Sequence, residues 1–115
     1  MINSQDQLKN ILNEVAQNVH SLLGKKLRRI VLYGSYARGD YDAESDMDIM
    51  VLADVDETEL RKIQKQVFSI GWDIGTEHNI MITMFMNNKD LFESRLPILP
   101  YYRNIIDEGV VFYAG

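Results

Sequence analysis

Leu8, Ile11, Leu12, Val15, Val19, Leu22 and Leu23 recur at three- and four-residue intervals, a spacing that predicts one amphipathic helix near the N-terminus. Asn3 or Ser4 offers a cap at its start and Gly24 a stop. The period then changes. Ile30, Val31, Leu32 and Tyr33 form a short unbroken apolar run ending at Gly34, and Asp48-Ile49-Met50-Val51-Leu52 forms a second. Both read as strands buried on two faces. Leu60, Ile63, Val67 and Ile70 return to helical spacing over residues 57–70, with Arg61, Lys62 and Lys65 on the other face. The segment IGWDIGTEHN, with its two glycines, reads as a connector in which Trp72 packs a core edge or anchors an interface. A third strand is predicted over residues 80–86, broken by Asn87-Asn88, and a short helix over residues 89–95. Pro97 and Pro100 bracket a turn before a last helix over residues 102–108, ended by Gly109 ahead of VVFY. Strands interleaved with helices imply an α/β or α+β fold, a sheet with helices packed on it.

Length and composition narrow this picture. A chain of 115 residues, 46% of them hydrophobic, fits a single domain over residues 1–115 with one core. Its net charge of -5 argues against direct binding of a nucleic-acid backbone. It has no cysteine, so disulfides and cysteine-ligated zinc are excluded. A polar N-terminus without a basic start and apolar core offers no secretory signal, and no apolar run is bilayer-length. The expectation is a soluble cytoplasmic domain without membrane contact.

The chemistry concentrates in YGSYARGDYDAESDMDIMV, residues 33–51. Gly34 lets the chain turn sharply after a strand, and Ser35 then offers a hydroxyl and an N–H at the start of one helical turn. Together they make a phosphate cradle. Asp40, Asp42, Glu44, Asp46 and Asp48 crowd the following stretch. A bare run of acids is usually a solvated loop. Here Asp46 and Asp48 stand two apart at the mouth of a strand, so both project from one face with Cα atoms roughly 6.5–7 Å apart. Two carboxylates so placed share one hard cation, and Mg²⁺ commonly takes one or two carboxylates plus substrate phosphates. The fixed offset from Gly-Ser to Asp-x-Asp, framed by two strands, favours that reading over the solvated loop. No Gly-Lys-Ser/Thr follows the glycines, so this is not a Walker A loop. Arg38 suits a phosphate, or equally an ion pair with Asp40 or Asp42. His20 and His78 are isolated and receive no role, and Lys25, Lys26, Arg28 and Arg29 read as a solvated helix end.

Gly34-Ser35-Tyr36-Ala37-Arg38-Gly39-Asp40 followed by Ser45-Asp46-Met47-Asp48-Ile49 resembles the signature of nucleotidyltransferases of the DNA polymerase β superfamily. The short length and the closing run PILPYYRNIIDEGVVFY resemble the minimal nucleotidyltransferases (MNT) found beside HEPN-domain proteins as toxin–antitoxin pairs. The resemblance implies a small nucleotidyltransferase fold with a short mixed sheet. It places Gly34, Ser35, Arg38 and Ser45 at the nucleotide, and makes Asp46 and Asp48 the catalytic ligands of Mg²⁺. It implies AMP transfer from ATP to a hydroxyl, in some members a tyrosine of the HEPN toxin, within a hetero-oligomer. Such transferases carry a third carboxylate on a later strand, and here Met81 or Thr83 takes that place. Neither face of residues 80–86 offers an acid, and Asp73 or Glu77 would serve only if the connector folded back over the site. Losing a general base typically slows a reaction about 10²–10⁴-fold. Two alternatives stay open beside the enzyme. One is a weakened transferase that neutralises its toxin by direct binding; the other is a small-molecule transferase of the aminoglycoside type.

Overall fold

The computed structural model describes residues 5–115, so the expected caps at Asn3 and Ser4 lie outside the described residues. Helix α1 (Gln5–Leu23) ends in a short 3-10 turn where Gly24 adopts a left-handed φ of 56°, as its sequence position predicts. Strand β1 (Leu27–Tyr33), the one-turn helix α2 (Ser35–Arg38) and strand β2 (Met47–Ala53) follow. Then come α3 (Glu57–His78), β3 (Ile82–Asn88), α4 (Lys89–Arg95), α5 (Pro100–Glu108) and β4 (Val110–Ala114). The sheet runs β3-β2-β1-β4, with β2 and β3 parallel and the other neighbours antiparallel. It is the mixed sheet expected.

Alternation along β1 and β2 sends side chains to two covered faces. Ile30, Leu32, Ile49 and Val51 pack under α1 and α3 with Ile11, Val15, Val19 and Val67. Val31, Tyr33, Met50 and Leu52 pack beneath Phe92 of α4 and Ile105 of α5. Two covered faces explain why both strands read as continuous apolar runs. The core sits on both sides of the central pair, which carries the acidic motif at one end.

The connector expected over IGWDIGTEHN is instead the last two turns of α3. Its helix starts at Asp56, whose carboxylate accepts the Glu59 N–H at 2.8 Å, and stops only at Asn79, with a left-handed φ of 57°. Gly71 and Gly75, one turn apart, provide close packing rather than a turn. A Cβ on Gly75 would lie 2.6 Å from the Ile80 carbonyl oxygen; one on Gly71 would lie 2.9 Å from Cγ of the fully buried Met84 and 3.2 Å from the Ile82 carbonyl oxygen. Gly75→Ala is therefore expected to cost about 1–2 kcal/mol net, overpacking exceeding the helix-propensity gain. Gly71→Ala is expected to destabilise as well, because Met84 is locked in the core and the Ile82 carbonyl is backbone, and urea unfolding of the two variants checks both.

The third strand is also displaced. It covers Ile82–Asn88 rather than residues 80–86, because parallel pairing with β2 continues to Ala53 opposite Asn88. The two asparagines expected to break it are satisfied at its end. Asn87 donates to the Met50 sulfur at 3.3 Å, and Asn88 donates to the Val55 carbonyl while accepting the Leu91 N–H that starts α4. The final helix begins earlier than expected, at Pro100, whose missing N–H is harmless in a first turn. VVFY lies in β4, an edge strand beside β1.

Candidate active site

Strand β1 delivers Tyr33 and Gly34 to the end of the sheet, where Gly34 takes φ 76° and ψ −154°, a region open essentially to glycine. A Cβ there would fall 2.6 Å from Asp48 Oδ2. The bare Gly34 backbone is therefore the space in which the Asp48 carboxylate sits. The next turn closes on the Gly34 carbonyl, which accepts from the N–H groups of Ala37 and Arg38 at 3.1 Å, and Gly39 ends it with φ 85°. Buried Tyr36 stacks on Tyr41 with ring centres 4.2 Å apart, anchoring the turn to the acidic loop.

Within that loop the acids divide by task. Asp42 Oδ1 accepts from the Glu44 N–H at 2.9 Å and from the Ser45 hydroxyl at 3.2 Å, while the Asp42 N–H donates to Ser45 Oγ at 2.9 Å. Asp42 and Ser45 thus shape the loop. Asp40 accepts from Arg38 Nε at 3.1 Å. Asp46, exposed just before β2, and Asp48, half-buried inside it, have no ion-pair partner among the described residues. Burial first, and the Asp46 charge second, push the Asp48 carboxyl above its usual range, and Arg38 only partly offsets them. A raised native pKa makes the ionised carboxylate a cost to the fold. That cost is absent below the unfolded pKa and complete above the native one, so stability falls as pH rises between them. Asp48→Asn is accordingly expected to melt higher than the parent, by a margin that widens from pH 4 to pH 7 without divalent cation. Thermal melts along that series check it.

Gly34, Ser35, Arg38, Asp46 and Asp48 line one cavity of about 520 Å³. Arg38 makes the ion pair with Asp40 that its sequence position allows, and it also borders the cavity. Its Nη1 also lies 3.2 Å from Glu108 Oε2. Phe85 and Tyr101 make an aromatic wall, and the Tyr101 hydroxyl lies 3.2 Å from that of Tyr33. Ser45 does not line this cavity; it borders a second one, of about 390 Å³, between the acidic loop and the end of α3. Two carboxylates, an arginine and a bare backbone can hold a divalent cation together with a phosphate chain.

The β2–β3 register sets Thr83 directly beside Asp48, so the neighbouring strand supplies a hydroxyl where an acid would lie. Met81 precedes the strand, its carbonyl accepting the Met47 N–H at 2.8 Å. With the connector replaced by helix, Asp73 is an exposed α3 residue outside the cavity. Glu77 instead gathers with Glu14 and His78, ligand atoms within 4.8 Å of one another, where His78 Nε2 and Glu14 Oε1 are 3.1 Å apart. That group is the one set of three potential metal ligands among the described residues, and neither Asp46 nor Asp48 belongs to it. Glu108 is the acid that sequence reasoning missed. It reaches the cavity because Gly109 lets the chain pass tightly against Val31, a Cβ there falling 2.5 Å from Val31 Cγ1. Its only sequence signal was a position one residue before a helix-ending glycine.

The family model described as "Nucleotidyltransferase domain" matches residues 8–109. A Methanocaldococcus jannaschii protein named "Putative protein adenylyltransferase" is 28% identical over 112 residues, covering 97% of this chain and 100% of the relative. A second of that name and organism is 35% identical over 81 residues, 70% of this chain and 80% of the relative. Among solved structures, a toxin–antitoxin crystal structure with AMP-PNP superposes with a TM-score of 0.57 at 18% identity, covering 90% of this chain and 73% of that one. A tri-AMPylated Shewanella oneidensis HEPN toxin in complex with MNT antitoxin gives 0.52 at 15% identity, covering 93% and 72%. At these identities the structural likeness shows the fold, and it is the small nucleotidyltransferase fold that the motif implied.

Proposed function

This chain belongs to the nucleotidyltransferase domain family, and we propose that it is a Mg²⁺-dependent antitoxin that transfers AMP from ATP to a tyrosine hydroxyl of a HEPN toxin. The observation that carries the reading is the fit of Asp48 into the space left by Gly34, with Asp46, Ser35 and Arg38 on the same cavity. Asp46 and Asp48 hold the cation: their mutual repulsion is the feature a divalent ion relieves. Mg²⁺ held by these two carboxylates would supply charge neutralisation for the phosphate chain. Gly34 and Ser35 take the phosphate chain with backbone N–H groups and a hydroxyl. Arg38 exchanges an exposed carboxylate partner for phosphate, at little cost because both members of the pair are screened by solvent. Ser45 serves the nucleotide through the loop it closes around Asp46.

In the reaction the acceptor oxygen bonds to the α-phosphorus, and the bond to the oxygen bridging toward the β-phosphorus breaks. The electron pair leaves on pyrophosphate, and the hydroxyl proton passes to water. Thr83 beside Asp48 leaves this proton transfer without a strand carboxylate, which fits a slow, essentially single-use modification better than rapid turnover. The remaining elements of the proposal are a single domain, a cytoplasmic setting and a hetero-oligomer with the toxin. Among the described residues no helix is long and apolar enough to cross a membrane.

A second reading, neutralisation by binding alone, is favoured by Thr83 and by exposed Trp72, Met81 and Phe85 near the site. Co-expression of toxin with the Asp46→Asn/Asp48→Asn double variant separates the two. Loss of protection by a folded double variant supports transfer; full protection rejects it in favour of binding.

A further inference from the structure

The two cavities meet at Asp46, which lines both. The larger one holds Arg38 and the Gly34-Ser35 turn, and reaches across β2 to Phe85 of β3. The smaller is built from the acidic loop, the end of α3 and residues 79–82 leading into β3, and shares with the larger one Asp46 but not Arg38. Their charge is opposite in kind. No lysine, arginine or histidine lines the smaller cavity, whereas Glu44 and Asp46 stand at its rim, so it repels a phosphate chain. Its wall is apolar and unusually bare: Trp72 is 63% exposed and Met81 49%, over a floor where Gly71 and Gly75 carry no side chains. Thr76 and Asn79 add exposed polar groups at the edge.

Phosphoryl transfer places the attacking and leaving oxygens roughly in line across the phosphorus. A phosphate chain held beside Arg38 and the Gly34-Ser35 turn sends pyrophosphate that way, and the attacking hydroxyl enters from the other side of Asp46, away from Arg38. The smaller cavity is the opening there. We propose that this cavity is the acceptor port, and that it admits a tyrosine carried on a partner polypeptide segment with basic residues beside it. The phenol ring lies against Trp72 and Met81, and the flanking cations face Glu44 and the acidic loop, a complementarity that selects among partner segments. The proposal rests on the AMP-transfer reading above and adds to it the route and the charge of the acceptor.

Trp72 is the single tryptophan of the chain, so its emission reports on this cavity directly. The test titrates the protein with acetyl-Arg-Lys-Tyr-Lys-Arg-amide and acetyl-Glu-Asp-Tyr-Asp-Glu-amide, with and without saturating Mg²⁺ and α,β-methylene ATP, which blocks transfer. The expected result is saturable quenching of Trp72 by the basic peptide, binding at least tenfold tighter than the acidic one, and no displacement by the nucleotide analogue. Glu44→Lys should lower the basic peptide's affinity at least tenfold. Absence of quenching, equal binding of both peptides, indifference to Glu44→Lys, or quenching by the analogue with loss of peptide would each overturn the port, the last assigning the cavity to the nucleobase. With ATP in place of the analogue, peptide mass reports transfer separately. Selective binding without an added AMP keeps the port and rejects the transfer reading; transfer unaffected by Glu44→Lys and Trp72→Ala rejects the port.

Discussion

Asp48→Asn is expected to lower AMP transfer by roughly 10³-fold in kcat/KM, about 4 kcal/mol of transition-state stabilisation, and Asp46→Asn by a similar factor. The two losses should differ in kind. Asp48 is half-buried beneath Gly34, so its neutral replacement keeps the shape of the site but removes the better-ordered ligand. Asp46 is exposed, and removing its charge also relieves the repulsion that raises the Asp48 carboxyl. Asp48 of the Asp46→Asn variant then ionises at lower pH than in the parent. Residual transfer should keep its plateau to lower pH in that variant, because cation binding requires the ionised carboxylate. Rates measured from pH 5 to pH 8 at saturating Mg²⁺ decide this. A profile unmoved by Asp46→Asn would separate the two carboxylates electrostatically and remove the basis for a shared cation.

Gly34→Ala carries the other large expected effect. The added methyl meets Asp48 Oδ2 at 2.6 Å and must also be held at φ 76°. Non-glycine backbone in such a region costs about 1–3 kcal/mol. The displaced carboxylate should lower transfer by roughly 10²-fold, the scale on which a misplacement of about 1 Å acts. Gly39→Ala is the internal comparison. Gly39 has a similar φ of 85°, but nothing lies within 4 Å of the added methyl. It should show the stability loss and keep most of the transfer activity. Chemical denaturation together with single-turnover rates for both variants separates backbone strain from steric displacement of Asp48.

The parts of this site that could be read from the chain are those whose geometry is local. A glycine after an apolar run, a serine, and two acids two residues apart at a strand mouth need only the strand's period of two to come together. The same holds for α1, β1 and β2, whose patterns match the faces they bury. What escaped depends on long-range packing. Gly71 and Gly75 carry the same letters as a turn, and only the passage of residues 80–84 beside α3 makes them helical contact points. Mistaking that helix for a connector also hid the second cavity, because its wall is the last two turns of α3. The shift of β3 by two residues follows from its parallel register with β2, information that lies in β2 rather than in β3. Glu108 reaches Arg38 across 70 positions of sequence, a proximity that no spacing rule reports.

The decisive measurement is the intact mass of the proposed HEPN toxin, after incubation with this chain, ATP and Mg²⁺. A mass increase of one or more AMP units, lost with Asp46→Asn or without Mg²⁺, is expected. An unchanged mass in a stable complex that still neutralises the toxin would contradict AMP transfer, and would make the nucleotide site incidental to a protein that acts by binding.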